Sequence, residues 1–131
     1  MLVSVCGGVE IGKTSLIQRI STGAFSLLYR PTHFTEISKI AMAGVPVALV
    51  ETADVIECDL AIIVCRRQSE AVALWRAYLT ASKLVPVVVR IGENLEIEPP
   101  LFYDLHEVSN LTGQGIPQLI CAIYLKSRLI T

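Results

Sequence analysis

Residues 7–14 read Gly7-Gly8-Val9-Glu10-Ile11-Gly12-Lys13-Thr14, a complete G-x-x-x-x-G-K-[ST] phosphate loop. This motif restricts the fold tightly, because it works only between a strand and a helix. Backbone N–H groups and the helix N-terminus must wrap a phosphate chain together. The flanks supply both elements. Leu2-Val3-Ser4-Val5-Cys6 is a short apolar run suited to a strand, and Ser15-Leu16-Ile17-Gln18-Arg19-Ile20 continues as a helix. In that setting Lys13 would reach the outer phosphates and Thr14 would hold Mg²⁺.

The rest of the chain continues the alternation. The spacing predicts a first helix over 13–22, ended by Gly23, then a loop over 24–35. Ile37–Ala43 and Val45–Val50 flank Gly44 and read as a hairpin with the edge strand first. Leu60–Cys65 is continuously apolar, as expected of a strand buried on both faces. A helix is predicted over 69–83, where Ala71, Leu74, Trp75, Tyr78 and Leu79 share one face. Val85–Val89 and Leu101–Val108 read as strands. Residues 116–129 read as the last helix, with Pro117 in its first turn. Strands alternating with helices imply an α/β fold around a mostly parallel sheet with one antiparallel edge strand.

At 131 residues the chain is expected to be one domain, 1–131. Hydrophobic residues make up 53% and charged residues 18%, an apolar balance for a domain in water. The net charge is −1 without a basic cluster, which removes the electrostatic case for nucleic acid or an anionic membrane. Cys6, Cys58, Cys65 and Cys121 lack C-x-x-C spacing and are expected as buried thiols in the reducing cytoplasm. The apolar start is too short for a signal peptide, and no run approaches a membrane span.

The element order and several spacings resemble the Ras-like small GTPases over the whole chain. Tyr29-Arg30-Pro31-Thr32 looks like the Y-x-P-T of the family's first switch loop, at the family's distance from Thr14. Glu107-Val108-Ser109-Asn110, followed by Gly113-Gln114-Gly115-Ile116, looks like its final base-contacting loop, with Leu111 in place of a lysine. The resemblance implies a three-layer phosphate-loop NTPase fold with GDP or GTP held by Gly7, Gly8, Val9, Glu10, Ile11, Gly12, Lys13, Thr14 and Ser15. It places Phe25 against the base, where the alternative is a loop aromatic plugging the core edge. Asn94, Ser109 and Asn110 fall at base-contacting positions. Thr14, Thr32 and Glu51 fall at positions that hold Mg²⁺. The ethanolamine-utilisation GTPase-like proteins also carry little beyond the phosphate loop, but the Y-x-P-T spacing favours the Ras-like branch.

The departures from that pattern carry as much information. Glu51-Thr52-Ala53-Asp54 stands where the family has D-x-x-G, so Asp54 replaces the glycine that meets the γ-phosphate. A carboxylate there repels phosphate at short range. Val55 replaces a water-orienting Gln, and Val9 adds bulk within the phosphate loop. Ile91-Gly92-Glu93-Asn94 replaces N-K-x-D, which leaves an uncharged acceptor where guanine meets an aspartate. Residues 55–59 and 95–100 are too few for the helices the family carries there. The expected result is a minimal version lacking two helices, with one sheet face left largely bare.

These features lead to a guanine-nucleotide-binding protein with impaired or absent hydrolysis, acting as a regulatory or protein-interaction module. Two alternatives stand beside it. One is a scaffold that binds no nucleotide; the other is an NTPase completed in trans by a partner. The bare face predicts a protein partner or a homodimer, with Trp75 and Tyr78 as anchors if they point outward. His33 and His106 read as a solvated loop residue and a structural strand residue. Arg66 and Arg67 follow the central strand at the end where such sheets bind ligands, and read as a solvated pair.

Overall fold

The computed structural model describes residues 1–7, 13–22, 37–42, 45–91, 105–109 and 112–129. Among these residues six strands form one sheet: β1 (Leu2–Gly7), β2 (Ile37–Met42), β3 (Val45–Thr52), β4 (Leu60–Cys65), β5 (Val87–Ile91) and β6 (Leu105–Val108). Their spatial order is β2-β3-β1-β4-β5-β6. β2 runs antiparallel to β3, with Ile37 opposite Val50 and Met42 opposite Val45. The neighbouring pairs from β3 to β6 are parallel. Among the described residues three α-helices accompany them: α1 (Lys13–Thr22), α2 (Val72–Ala81) and α3 (Ile116–Ser127).

Strand alternation divides the core into two layers. Val3 and Val5 of β1, Leu60, Ile62 and Val64 of β4, and Val87 and Val89 of β5 face one side. There they meet Leu16, Ile17 and Ile20 of α1 and Ile116, Leu119 and Ile123 of α3. The α3 spacing of three and four residues is what a helix needs to present one stripe to a sheet. The opposite side carries Cys6, Ala61, Ile63, Cys65 and Val88, packed with Ala71 and Tyr78. Each fully buried Leu or Ile contributes roughly 1.5–3 kcal/mol before conformational entropy is charged against it.

The structure corrects the sequence reading in three places on this second side. First, the helix expected over 69–83 is a 3-10 turn, Gln68–Ala71, followed by α2, which stops at Ala81. Ser82 is extended because residues 82–84 pair with 58–59: Lys83 N–H donates to the Cys58 carbonyl and Leu84 N–H to that of Asp59. Second, the following strand begins at Val87 rather than Val85, and Val85 is exposed. Third, the face is not bare under α2. Cys6, Ala61, Ile63, Cys65 and Val88 are fully buried, and Tyr78 lies in the core rather than outward as an anchor. Trp75 is half-buried against the same cluster. Among the described residues, Ala48 and Val50 of β3 are half-buried on this side, as are Leu2 and Leu105.

Residues 53–59 contain no helix, and the segment 95–100 lies outside the described residues. Asp59 ends the 53–59 connection and closes the lower sheet edge. Its carboxylate accepts the Leu2 N–H at 2.7 Å and pairs with Lys83 at 3.1 Å. The Leu2 N–H, more than Lys83, holds that carboxyl below its ordinary value. The four cysteines form no disulfide; Cys6, Cys58 and Cys65 are buried, but Cys121 is on the exposed side of α3. Among the described residues no helix is long and apolar enough to cross a membrane.

Candidate functional site

Three parallel strands, β1, β3 and β6, deliver the candidate residues to one edge of the sheet, the carboxyl end, where open α/β sheets bind ligands. β1 ends at Gly7 and α1 begins at Lys13. The register sets Val5 beside Glu51 and Cys6 beside Thr52. The end of β3 therefore lies next to the mouth of the phosphate loop.

Lys13 is only 8% exposed. Its Nζ donates to the Gly7 carbonyl at 3.0 Å and to the Thr52 carbonyl at 3.3 Å. A buried ammonium needs such acceptors, since leaving it unpaired costs several kcal/mol. The same two carbonyls hold the amine between β1 and β3. Thr14 Oγ1 lies 3.0 and 2.9 Å from the two Glu51 carboxylate oxygens, and donates its one proton between them. The residues expected on opposite sides of a cation are thus brought together by adjacent elements. A hydroxyl and a carboxylate are hard oxygen donors, the set Mg²⁺ takes together with waters and phosphate oxygens. The extra methylene of Glu51 does not prevent it from reaching Thr14. Among the described residues no three His, Cys, Asp or Glu side chains form a metal cluster.

Ser15 is exposed at the first turn of α1. Asp54 and Val55 are exposed immediately beyond β3. Thr52 folds this segment into a tight turn: its hydroxyl donates to the Asp54 carbonyl at 2.8 Å and accepts the Asp54 N–H at 3.1 Å. Asp54, expected where the resemblance has a glycine, is thus held at an exposed position just beyond β3.

Ser109 follows β6. Its N–H donates to the Gln114 carbonyl at 2.9 Å, its carbonyl accepts the Gly113 N–H at 2.8 Å, and its hydroxyl accepts the Thr112 N–H at 3.2 Å. The loop therefore closes on itself before α3 begins. Gly8, Val9, Glu10, Ile11, Gly12, Phe25, Thr32, Asn94 and Asn110 lie outside the described residues, as does His33. Arg66 and Arg67 are exposed after β4, and His106 is half-buried on β6.

The sequence reading missed Arg90. It sits at the carboxyl end of β5, is 8% exposed, and pairs with Glu107, its register partner on β6. Its Nε finds no hydrogen-bond partner among the described residues. The available signal was an arginine directly after Val87-Val88-Val89, followed one strand later by a glutamate at the matching position. Reading the strand as ending at Val89 hid that match.

No family model matches the chain, and no curated protein matches it. Solved structures do. The chain superposes over 97% of its length on GDP-bound Roco2 RocCORdC from Methanosarcina barkeri, with a TM-score of 0.76 and 17% identity. It spans 48% of that chain, about half its length. It also superposes over 95% of its length on the G domain of the T. maritima FeoB iron transporter, covering 98% of that domain, with a TM-score of 0.66 and 14% identity. At these identities the likeness concerns the fold: the chain has a phosphate-loop GTPase-like α/β fold, like that of a G domain.

Proposed function

We propose that this chain binds a guanine nucleotide, GDP or GTP, at residues 7–15, and hydrolyses it very slowly or not at all. The observation that carries this reading is the cluster of Lys13, Thr14 and Glu51, assembled where β1, α1 and β3 meet. A phosphate chain gives Lys13 better acceptors than two carbonyls, because charge-assisted bonds are about twice as strong. Mg²⁺, held by Thr14 and Glu51, with Thr32 as a third ligand, would neutralise phosphate charge there. The likeness to a GDP-bound G domain supports guanine as the base. Ile91-Gly92-Glu93-Asn94 supports weak discrimination against adenine, since a site without buried polar partners cannot reject the wrong base strongly.

Asp54 and Val55 support slow turnover and a preference for diphosphate. One residue repels a γ-phosphate; the other offers attacking water no hydrogen bond. Calorimetry should show GDP bound more tightly than GTP, and Asp54→Gly should move the ratio toward GTP by about tenfold. Single-turnover hydrolysis should be of order 10⁻⁴ s⁻¹ or slower. Tight guanine-only binding that favours GTP, or several turnovers per minute by the protein alone, would contradict the reading.

The same bonds support a second reading. Lys13 and Thr14 are satisfied by protein groups without any nucleotide, as a scaffold that binds none would require. The nucleotide that copurifies separates the two. A stoichiometric guanine-nucleotide peak released on denaturation supports the first, and an empty trace together with silent calorimetry supports the second.

In either case the role is regulatory or scaffolding, in the cytoplasm, with a protein partner or second copy seated on this sheet face, where Ala48, Val50 and Trp75 are half-buried. Light scattering tests this: a stable monomer at tens of micromolar, with no partner present, would remove the need for a cover.

A further inference from the structure

The loop 52–54 is held from three directions. Lys13 Nζ donates to the Thr52 carbonyl at 3.3 Å. The Cys6 thiol points to the Ala53 carbonyl at 3.9 Å. Tyr78 OH lies 3.4 Å from the Asp54 carbonyl. Tyr78 belongs to α2, on the other side of the sheet from α1, and is fully buried. Its oxygen is also 2.8 Å from Ser4 Oγ in the middle of β1. If the phenol donates to Asp54, the Ser4 hydroxyl is left to donate to the phenol, and all three oxygens are served. Burial, foremost, pushes the phenol up to about 12, so it keeps its proton at neutral pH.

We propose that Tyr78 is a positioning residue for the phosphate site: its hydroxyl fastens residues 52–54 to β1 and α2, so that a change in that loop reaches α2. The regulatory half of this rests on the nucleotide-binding reading above. Two features suit the contact to the role. The Tyr78–Asp54 bond is long, so a shift of a few tenths of an ångström makes or breaks it. Its loop partner is also the place where Lys13 is engaged. Phosphate that draws Lys13 from the Thr52 carbonyl removes one of the three ties and leaves the Cys6 and Tyr78 contacts to hold the loop. A tyrosine is needed there because phenylalanine fills the same volume but leaves both the Asp54 carbonyl and Ser4 without this partner.

Amide hydrogen exchange on the full chain tests it, without nucleotide and with saturating GDP, in the wild type, Tyr78→Phe and Ser4→Ala. Both variants lose the Ser4–Tyr78 bond; only Tyr78→Phe loses the tie to Asp54. In the nucleotide-free protein, Tyr78→Phe should speed exchange at residues 53–56 by about three- to tenfold, the range that a net hydrogen bond spans. Ser4→Ala should leave it within twofold. Equal acceleration in both variants, or none in Tyr78→Phe, overturns the fastening. In the wild type GDP should alter exchange both in 53–56 and in α2. In Tyr78→Phe, at GDP concentrations that saturate the variant, the α2 response should vanish. An α2 response that survives in Tyr78→Phe, or is missing in a wild type that binds GDP, overturns the coupling. A wild type that binds no GDP in calorimetry refutes the nucleotide reading and with it the coupling, while the nucleotide-free comparison still decides the fastening.

Discussion

Lys13→Ala should abolish nucleotide binding, with a loss of at least about a hundredfold in affinity for GDP. The reason lies in where the amine is held. Its two carbonyl partners are backbone atoms of Gly7 and Thr52, fixed by the parallel pairing of β1 with β3. The side chain is therefore preorganised beside the loop that would wrap the phosphates, and little entropy is lost when phosphate oxygens replace carbonyls. Charge-assisted hydrogen bonds contribute about 1.5–3 kcal/mol each, so two of them account for a factor of roughly 10² or more. The folded state should survive. The variant removes a buried charge together with its desolvation penalty. We expect a stability change within about 2 kcal/mol. Calorimetry and a thermal melt together check this. Unchanged GDP binding would show that the loop is not the site, and complete unfolding would show that Lys13 is chiefly structural.

The sequence made this part of the molecule legible because the motif binds local and tertiary structure together. A strand, a glycine loop and a helix in immediate succession leave the lysine one place to go. The partnership of Thr14 with Glu51 was legible only by resemblance, since 36 intervening residues hide it from any local pattern. Tyr78 shows the opposite case. Its spacing with Leu74 and Trp75 marks a helix face, but periodicity alone does not say whether an aromatic ends in a core or at an interface. What decides is a polar partner inside the core, and Ser4 was hidden among apolar neighbours on β1. Arg90 was lost for a similar reason. A charge near the end of an apolar run reads as the end of the strand unless its counter-ion, here Glu107 on β6, is paired with it across the register. The overestimated length of α2 has a tertiary cause as well. Residues 82–84 have a better use for their N–H groups in pairing with 58–59 than in another helical turn.

Gly115→Ala should destabilise the chain by about 3–5 kcal/mol, enough to lower the melting temperature by roughly 10–15 °C for a domain of this size. Gly115 precedes the first turn of α3 with φ of 84° and ψ of −14°. That left-handed conformation costs an L-residue with a side chain about 1–2 kcal/mol by itself. The space is closed too. A Cβ at this position would be driven into the Glu107 carbonyl oxygen and would lie 3.2 Å from the carbonyl carbon and 3.3 Å from Val108 Cα. All three are backbone atoms of β6, which cannot rotate away as a flexible side chain would. Relief requires moving α3 or the end of β6. Neither moves alone: Val108 is buried in the core beside Ile116, and the Glu107 side chain neutralises buried Arg90. The same movement displaces Ser109, whose N–H and carbonyl close the loop before α3. Gly113→Ala is the comparison, since Gly113 has φ of 80° and carries the conformational strain as well. Urea unfolding of the two variants should separate them, with Gly113→Ala losing about 1–2 kcal/mol and Gly115→Ala clearly more. A Gly115→Ala protein within 1 kcal/mol of the wild type would mean that β6 and α3 are free to part, and that the last loop is not held as rigidly as its hydrogen bonds imply.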